Sequence, residues 1–235
     1  MCLVVNILGG KSNTASGAYS SLGGGEGNTA SGTVATVAGG NDNVANGTKS
    51  AIGGGSTNIA HGNCTTVGGG FNNKSCGLRS TIAGGFRNEV TTAGENSTIG
   101  GGKDNIASGT NTVIAGGSGS VILGSSTGSF IGGGRGNIIN QTSYASVIGG
   151  GSSNKITGSN GSIIGGGILN NICRISCINI EANSILGGCS NTIDGDSTEY
   201  NVIGGGTQNC IHNGDHNVVV GACGGWIKHS RLSFI

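Results

Sequence analysis

Proline is absent from this 235-residue chain, aromatic residues make up 3% of it, charged residues 9%, and tryptophan and methionine occur once each. A conventional globular core does not fit that composition. With 11 basic against 10 acidic residues the formal charge is +1, so no basic stripe is available to neutralise phosphates, and nucleic acid is not an expected partner. No apolar run approaches the ~20 residues a membrane-spanning helix needs, so no membrane span is expected. Glycine, by contrast, occurs 53 times. It does not fall at every third position, which excludes collagen, and the apolar residues are periodic rather than sparse, which argues against disorder.

The order lies in a repeat. Ser20-Ser21-Leu22-Gly23-Gly24-Gly25-Glu26-Gly27-Asn28-Thr29-Ala30-Ser31-Gly32 starts again, with substitutions, every fifteen residues. A fixed period is the signature of units stacked along an axis. One phase holds Ile7, Leu22, Val37, Ile52, Val67 and Ile82, and its continuation reads Ile99, Ile131, Ile148, Ile164, Ile185 and Ile203. This is the expected core column. Six residues later come Asn13, Asn28, Asn43, Asn58, Asn73 and Asn88, continued by Asn105, Asn137, Asn154, Asn170, Asn191 and Asn209.

Segments such as Ser50-Ala51-Ile52 and Asn58-Ile59-Ala60 alternate side-chain direction as strands do, and the glycines between them mark corners. Each repeat therefore reads as two short strands and two turns, paired in parallel with the next repeat. At about 4.8 Å per layer, roughly fourteen coils would span ~65 Å. A polar residue as regular as this asparagine is expected to point inward as a stacked amide ladder, because a catalytic residue has no reason to recur in every coil.

Regular coils run over 7–98 and looser ones over 99–222, within a repeat domain of 1–222 followed by a capping or attachment segment, 223–235, that carries Trp226. Extra residues enter the return segment at 140–145, 173–183, 194–200 and 212–217, which places the insertions on one edge. Tyr144, Glu181, Glu199, Tyr200, His212 and Asp215 lie in these insertions and are the candidate contact residues. The step from Ile114 through Ile122 to Ile131 reads as a half-length break, a bulge or a register change. The Ala30 column becomes Ile139, Ile156, Ile172, Ile193 and Ile211, and the Thr66 column becomes Val113, Val121, Phe130, Val147 and Ile163. That second, outward column should be covered by another chain.

The remaining motifs carry no chemistry. The glycine triplets lack the spacing of a phosphate loop, as at Gly9-Gly10-Lys11-Ser12. Cys2, Cys64, Cys76, Cys173, Cys177, Cys189, Cys210 and Cys223 form no CxxC pair and occupy different columns, which favours reduced thiols over a zinc site or disulfides. His212, Asp215, His216 and His229 read as solvent-facing loop residues rather than metal ligands, so neither a metal nor a cofactor is expected. Sequons at Asn46, Asn63, Asn96, Asn140 and Asn160 fall in turns. Asp194, Asp196 and Glu199 form a local acidic cluster, which a polysaccharide-processing β-helix enzyme would need to turn toward one face.

The unit Ser-x-Ile-Gly-Gly-Gly-x-x-Asn-x-Ala-x-Gly, seen at Ser80-Thr81-Ile82-Ala83-Gly84-Gly85-x-x-Asn88, resembles the YadA-like head repeat of trimeric autotransporter adhesins and the Gly-rich repeats of viral and phage fibre proteins. The resemblance covers about residues 4–222. It implies an all-β, left-handed parallel β-roll, a homotrimer, and a non-enzymatic adhesive head that binds a host surface receptor, a glycan or another particle protein. With no signal, stalk or barrel in view, the expected setting is a virion or particle surface, with a bacterial cell surface as the alternative. A monomeric solenoid binding ice or carbohydrate is the competing expectation.

Overall fold

The computed structural model describes residues 4–174, 180–196 and 198–234, and of Ile180 and Glu181 the backbone alone. Every regular element among them is a β-strand, and the strands stack in parallel as a β-solenoid of about 13 turns with coils of about 16 residues. The chain divides into two compact units, Met1–Gly116 and Gly117–Ile235.

In the first unit each coil carries two strands of two residues. Ser21–Leu22 pairs with Thr36–Val37, which pairs with Ala51–Ile52, while Thr29–Ala30 pairs with Val44–Ala45 and Ile59–Ala60. The second residue of each pair points inward, so Leu22, Val37, Ile52 and Val67 on one sheet face Ala30, Ala45 and Ala60 on the other inside a single chain. Large residues opposite small ones fill a narrow coil. Ile7, in the first described coil, is the exception to its column at 46% exposed.

What keeps the strands so short is the handedness of the corners. Gly25, with φ +90°, has no room for a Cβ, which would run into the Gly40 carbonyl of the next coil and lie 2.7 Å from Asn28 Nδ2. Two further positions per coil of the first unit adopt left-handed backbone, one of them Gly27 but most not glycine, among them Asp42, Thr57 and Asn72 at one corner and Val34, Lys49 and Cys64 at another. For Val34, β-branched at φ 59°, that conformation is costly. Its compensation is a hydrogen bond. Strand N–H groups donate to the following coil, as Ser21 N to Ala35 O at 2.9 Å, whereas the left-handed residues turn theirs back to the preceding coil, as Val34 N to Ala18 O at 2.7 Å and Asp42 N to Glu26 O at 2.9 Å. The corners thereby satisfy backbone groups that straight strands would leave unpaired.

The second unit repeats the scheme with wider coils. Phe130–Ile131, Val147–Ile148 and Ile163–Ile164 form one sheet, while Val121–Ile122, Ile138–Asn140 and Lys155–Thr157 form the other. Both inward columns are now isoleucine, Ile131, Ile148 and Ile164 against Ile122, Ile139 and Ile156, all buried. The insertions supply the width, with equivalent residues separated by 21 positions at Asn170–Asn191 and 18 at Asn191–Asn209.

The apparent break near 114–131 dissolves. Val121–Ile122 belongs to the second sheet, in register with Ile138 and Ile139, so Val121 is not in the Thr66 column and Ser120 stands where other coils carry the ladder asparagine. Residues 223–234 keep the register, with Trp226, Ile227 and Lys228 opposite Cys210, Ile211 and His212.

Candidate functional site

The asparagine column is an internal brace. Asn58 N and Nδ2 both donate to Asn43 Oδ1, at 3.0 and 3.1 Å, while Nδ2 also donates to Gly54 O at 3.0 Å and Gly70 O at 2.9 Å. Asn58 Oδ1 in turn accepts from Asn73 N at 2.9 Å. The same pattern joins Asn28, Asn43, Asn73 and Asn88 in the first unit and Asn137, Asn154, Asn170, Asn191 and Asn209 in the second. It starts at Asn13, half-buried in the first coil, and Asn105 N donates to Asn88 Oδ1. At the far end Gly225 N donates to Asn209 Oδ1.

A second ladder was not visible in the period. Asn183, Asn201 and Asn217 stack at another corner, where Asn201 N and Asn217 N donate to the preceding Oδ1 at 3.0 Å, and Asn183 N donates to Ser162 Oγ. Its column holds serine in earlier coils, Ser146 and Ser129, linked by Ser146 N to Ser129 Oγ, so only the change from hydroxyl to amide could have announced it.

Four of the six candidate contact residues meet at one corner of the second unit. His212 Nδ1 lies 2.7 Å from Asp194 Oδ1, and the His229 ring stands edge-on to His212 at 5.7 Å. Asp215 Oδ1 accepts from Glu199 N at 3.2 Å, and its Oδ2 accepts from Arg231 Nε at 3.2 Å. Tyr200, half exposed, rests on His216 with ring centroids 5.1 Å apart. Stacking brings these together: Cys173, Asp194 and His212 share a register position in successive coils, as do Asp215 and Arg231.

Between them opens a cleft of about 430 Å³ lined by Asp196, Asn213, Asp215, His229, Ser230 and Arg231. Asp196 Oδ1 is buried beside it with no hydrogen-bond partner among the described residues, while its N–H donates to Asn213 Oδ1 at 2.8 Å. Asn213 and Arg231 were missed in the sequence because they gain meaning only from the coil beneath them. Tyr144 is exposed on an earlier coil, its N–H bonded to Asn160 Oδ1, and the Glu181 side chain lies outside the described residues.

What this corner presents is paired charge and ring faces. Of the acidic cluster Asp194, Asp196 and Glu199, Asp194 is engaged by His212, Asp196 lines the cleft, and Glu199 is joined through its N–H to Asp215, which also accepts from Arg231. Among the described residues no group of three His, Cys, Asp or Glu side chains is placed to hold a metal ion. Burial, with Asp194 and then Cys173 nearby, pushes the Cys210 thiol up to about 11, and burial likewise raises Cys173, so both stay protonated at neutral pH.

The first unit carries a separate outward feature. Phe71 and Phe86 stack at 5.3 Å and 14°, with Arg87 and Lys103 over the Phe86 ring at 5.1 and 5.5 Å. Ion pairs also join neighbouring coils of this unit, including Lys74–Glu89, Arg79–Glu95 and Arg87–Asp104.

No protein-family model matches the chain, and no curated protein is similar to it in sequence. Among the described residues no helix is long and apolar enough to cross a membrane.

Proposed function

We propose that this chain is a non-enzymatic structural and adhesive element of a virion or particle surface fibre, a homotrimer that contacts a host surface, a glycan or another particle component through the inserted corner of its second unit. One observation carries the reading: the polar side chains that recur are consumed in holding coil to coil, while the varied ones gather around the Asp196–Arg231 cleft. A rigid stack with one irregular edge is a scaffold that presents loops. The repeat's resemblance to adhesin heads supports the same role.

Side-by-side association fits better than an intertwined core, since both inward columns are already buried within one chain. The outward column Phe130, Val147 and Ile163, with Ile163 42% exposed, is the face such neighbours would cover. The same self-sufficient core favours a second reading, a monomeric solenoid that binds carbohydrate or ice.

Light scattering on a size-exclusion column separates the two. Three times 22.7 kDa is expected for the trimer, and a monomer at working concentration refutes it. Binding to glycan arrays and cell surfaces should fall at least tenfold in Arg231→Ala and Tyr200→Ala while Lys49→Ala has no effect. Equal binding by all three variants refutes the corner as the contact site.

A further inference from the structure

The ladder contains a sequon. Asn73-Lys74-Ser75 satisfies Asn-x-Ser/Thr, and Asn73 is a fully buried rung. N-glycosylation replaces one Nδ2 hydrogen by the anomeric carbon of an oligosaccharide, with the lipid diphosphate that carried the sugar departing and the proton released. Here that nitrogen donates to Gly69 O and Gly85 O, each at 2.9 Å, and faces Asn58 Oδ1 at 3.2 Å. One carbonyl would lose its donor. Space is lacking as well, since even a methyl group built on Gly70 would lie 2.8 Å from Asn73 Nδ2.

Of the other sequons, Asn140 and Asn160 lie half-buried in strands of the second unit rather than in turns, and three are placed in the open. Asn46, Asn63 and Asn96 are exposed at a corner, outside the ladder, with His61, Thr48 N and Asn111 as their neighbours. They are acceptors that the fold leaves open.

We propose that Asn73 makes this chain incompatible with folding in an N-glycosylating compartment, so that it folds where no oligosaccharide is transferred to asparagine. A chain modified at Asn73 cannot close the coils on either side, whereas modification at Asn46, Asn63 or Asn96 leaves the stack intact. The inference rests on the ladder alone and is independent of what the chain binds.

The test is expression of the full chain behind a cleavable signal peptide in a glycosylating eukaryotic cell, with site occupancy mapped by mass spectrometry in the secreted and retained fractions. Glycans at Asn46, Asn63 or Asn96 show that the transferase met the chain. Expected is poor secretion, with Asn73 occupied in retained chains and empty in any secreted ones, and a severalfold gain in secretion for Ser75→Ala. Alanine fills that column in the preceding coil at Ala60, and Ser80 Oγ, now bonded to Ser75 Oγ, also donates to Gly77 O, so the substitution leaves the fold in place. Secreted, protease-resistant chains that carry a glycan at Asn73 would overturn the proposal. So would free secretion of the wild-type chain with Asn73 empty throughout and Ser75→Ala without effect.

Discussion

Asn58→Ala removes one rung of the ladder, and its cost follows from which partners are left alone. Gly70 O keeps its bond from Ser56 N, and Asn43 Oδ1 is freed of its two donors from residue 58 except the backbone N–H, which stays. Two backbone groups lose the partner described for them, the buried Asn73 N and the half-buried Gly54 O. At about 1–3 kcal/mol for the buried N–H, and less for the half-buried carbonyl that water can reach, the loss is about 1–4 kcal/mol, a large share of the ~5–15 kcal/mol that holds a typical domain. Urea denaturation followed by circular dichroism measures it, and amide exchange at Asn73 shows whether the damage is local, as expected where each coil contacts only its neighbours. The control is Asn41→Ala on the outer surface, expected within about 0.5 kcal/mol of wild type. Equal stability of the two variants would refute the ladder as a stabilising device. Asn58→Asp adds a sign: its buried carboxylate faces two carbonyls, so its folded pKa rises above the ordinary ~3.9. Stability is then present at low pH and lost as pH rises through that raised value, the opposite of a salt-bridged aspartate.

Gly151→Ala should unfold or severely weaken the second unit, because at φ +85° its Cβ would strike Gly167 and lie 2.7 Å from Asn154 Nδ2, whereas the adjacent Gly150→Ala has nothing within 4 Å and should be nearly neutral; thermal melts of both decide it. Ile148→Ala, in the buried column, should cost about 2–5 kcal/mol, and Ile163→Ala, on the half-exposed outer column, under about 1 kcal/mol, by denaturant titration of the isolated variants at equal concentration. Cys210 is raised from 9.0 to about 11, so its contribution is fully present below pH 9 and is lost as pH climbs through 11; half-exposure limits the effect to on the order of 1 kcal/mol, and Cys210→Ser should flatten the alkaline limb of a stability profile.

The contact residues show how far a one-dimensional reading reaches. His212 and Asp215 were recognisable as members of an inserted turn, yet their partners Asp194 and Arg231 sit a coil away, at separations of 18 and 16 residues that no local motif encodes. The Phe71–Phe86 stack escaped notice for the same reason. Ile122 was placed in the wrong sheet because Ser120 replaces the asparagine that precedes the second strand in the neighbouring coils, and without that marker the period of one column looks like a step in the other.

Sequence alone determined the architecture: a fifteen-residue period, apolar residues in one phase and asparagine six positions later suffice to specify parallel coils with an amide ladder, because identical units can satisfy their backbone groups only by stacking on one another. It also determined that the insertions share one edge. The tertiary structure decided what stacking brings together: that left-handed corners reverse the direction of donation, that serine columns give way to a second asparagine ladder, that two isoleucine columns close a wider core within one chain, and that loops from successive coils converge on the Asp196–Arg231 cleft. These depend on distances of one coil rise between residues far apart in the chain. Only the folded stack sets those distances.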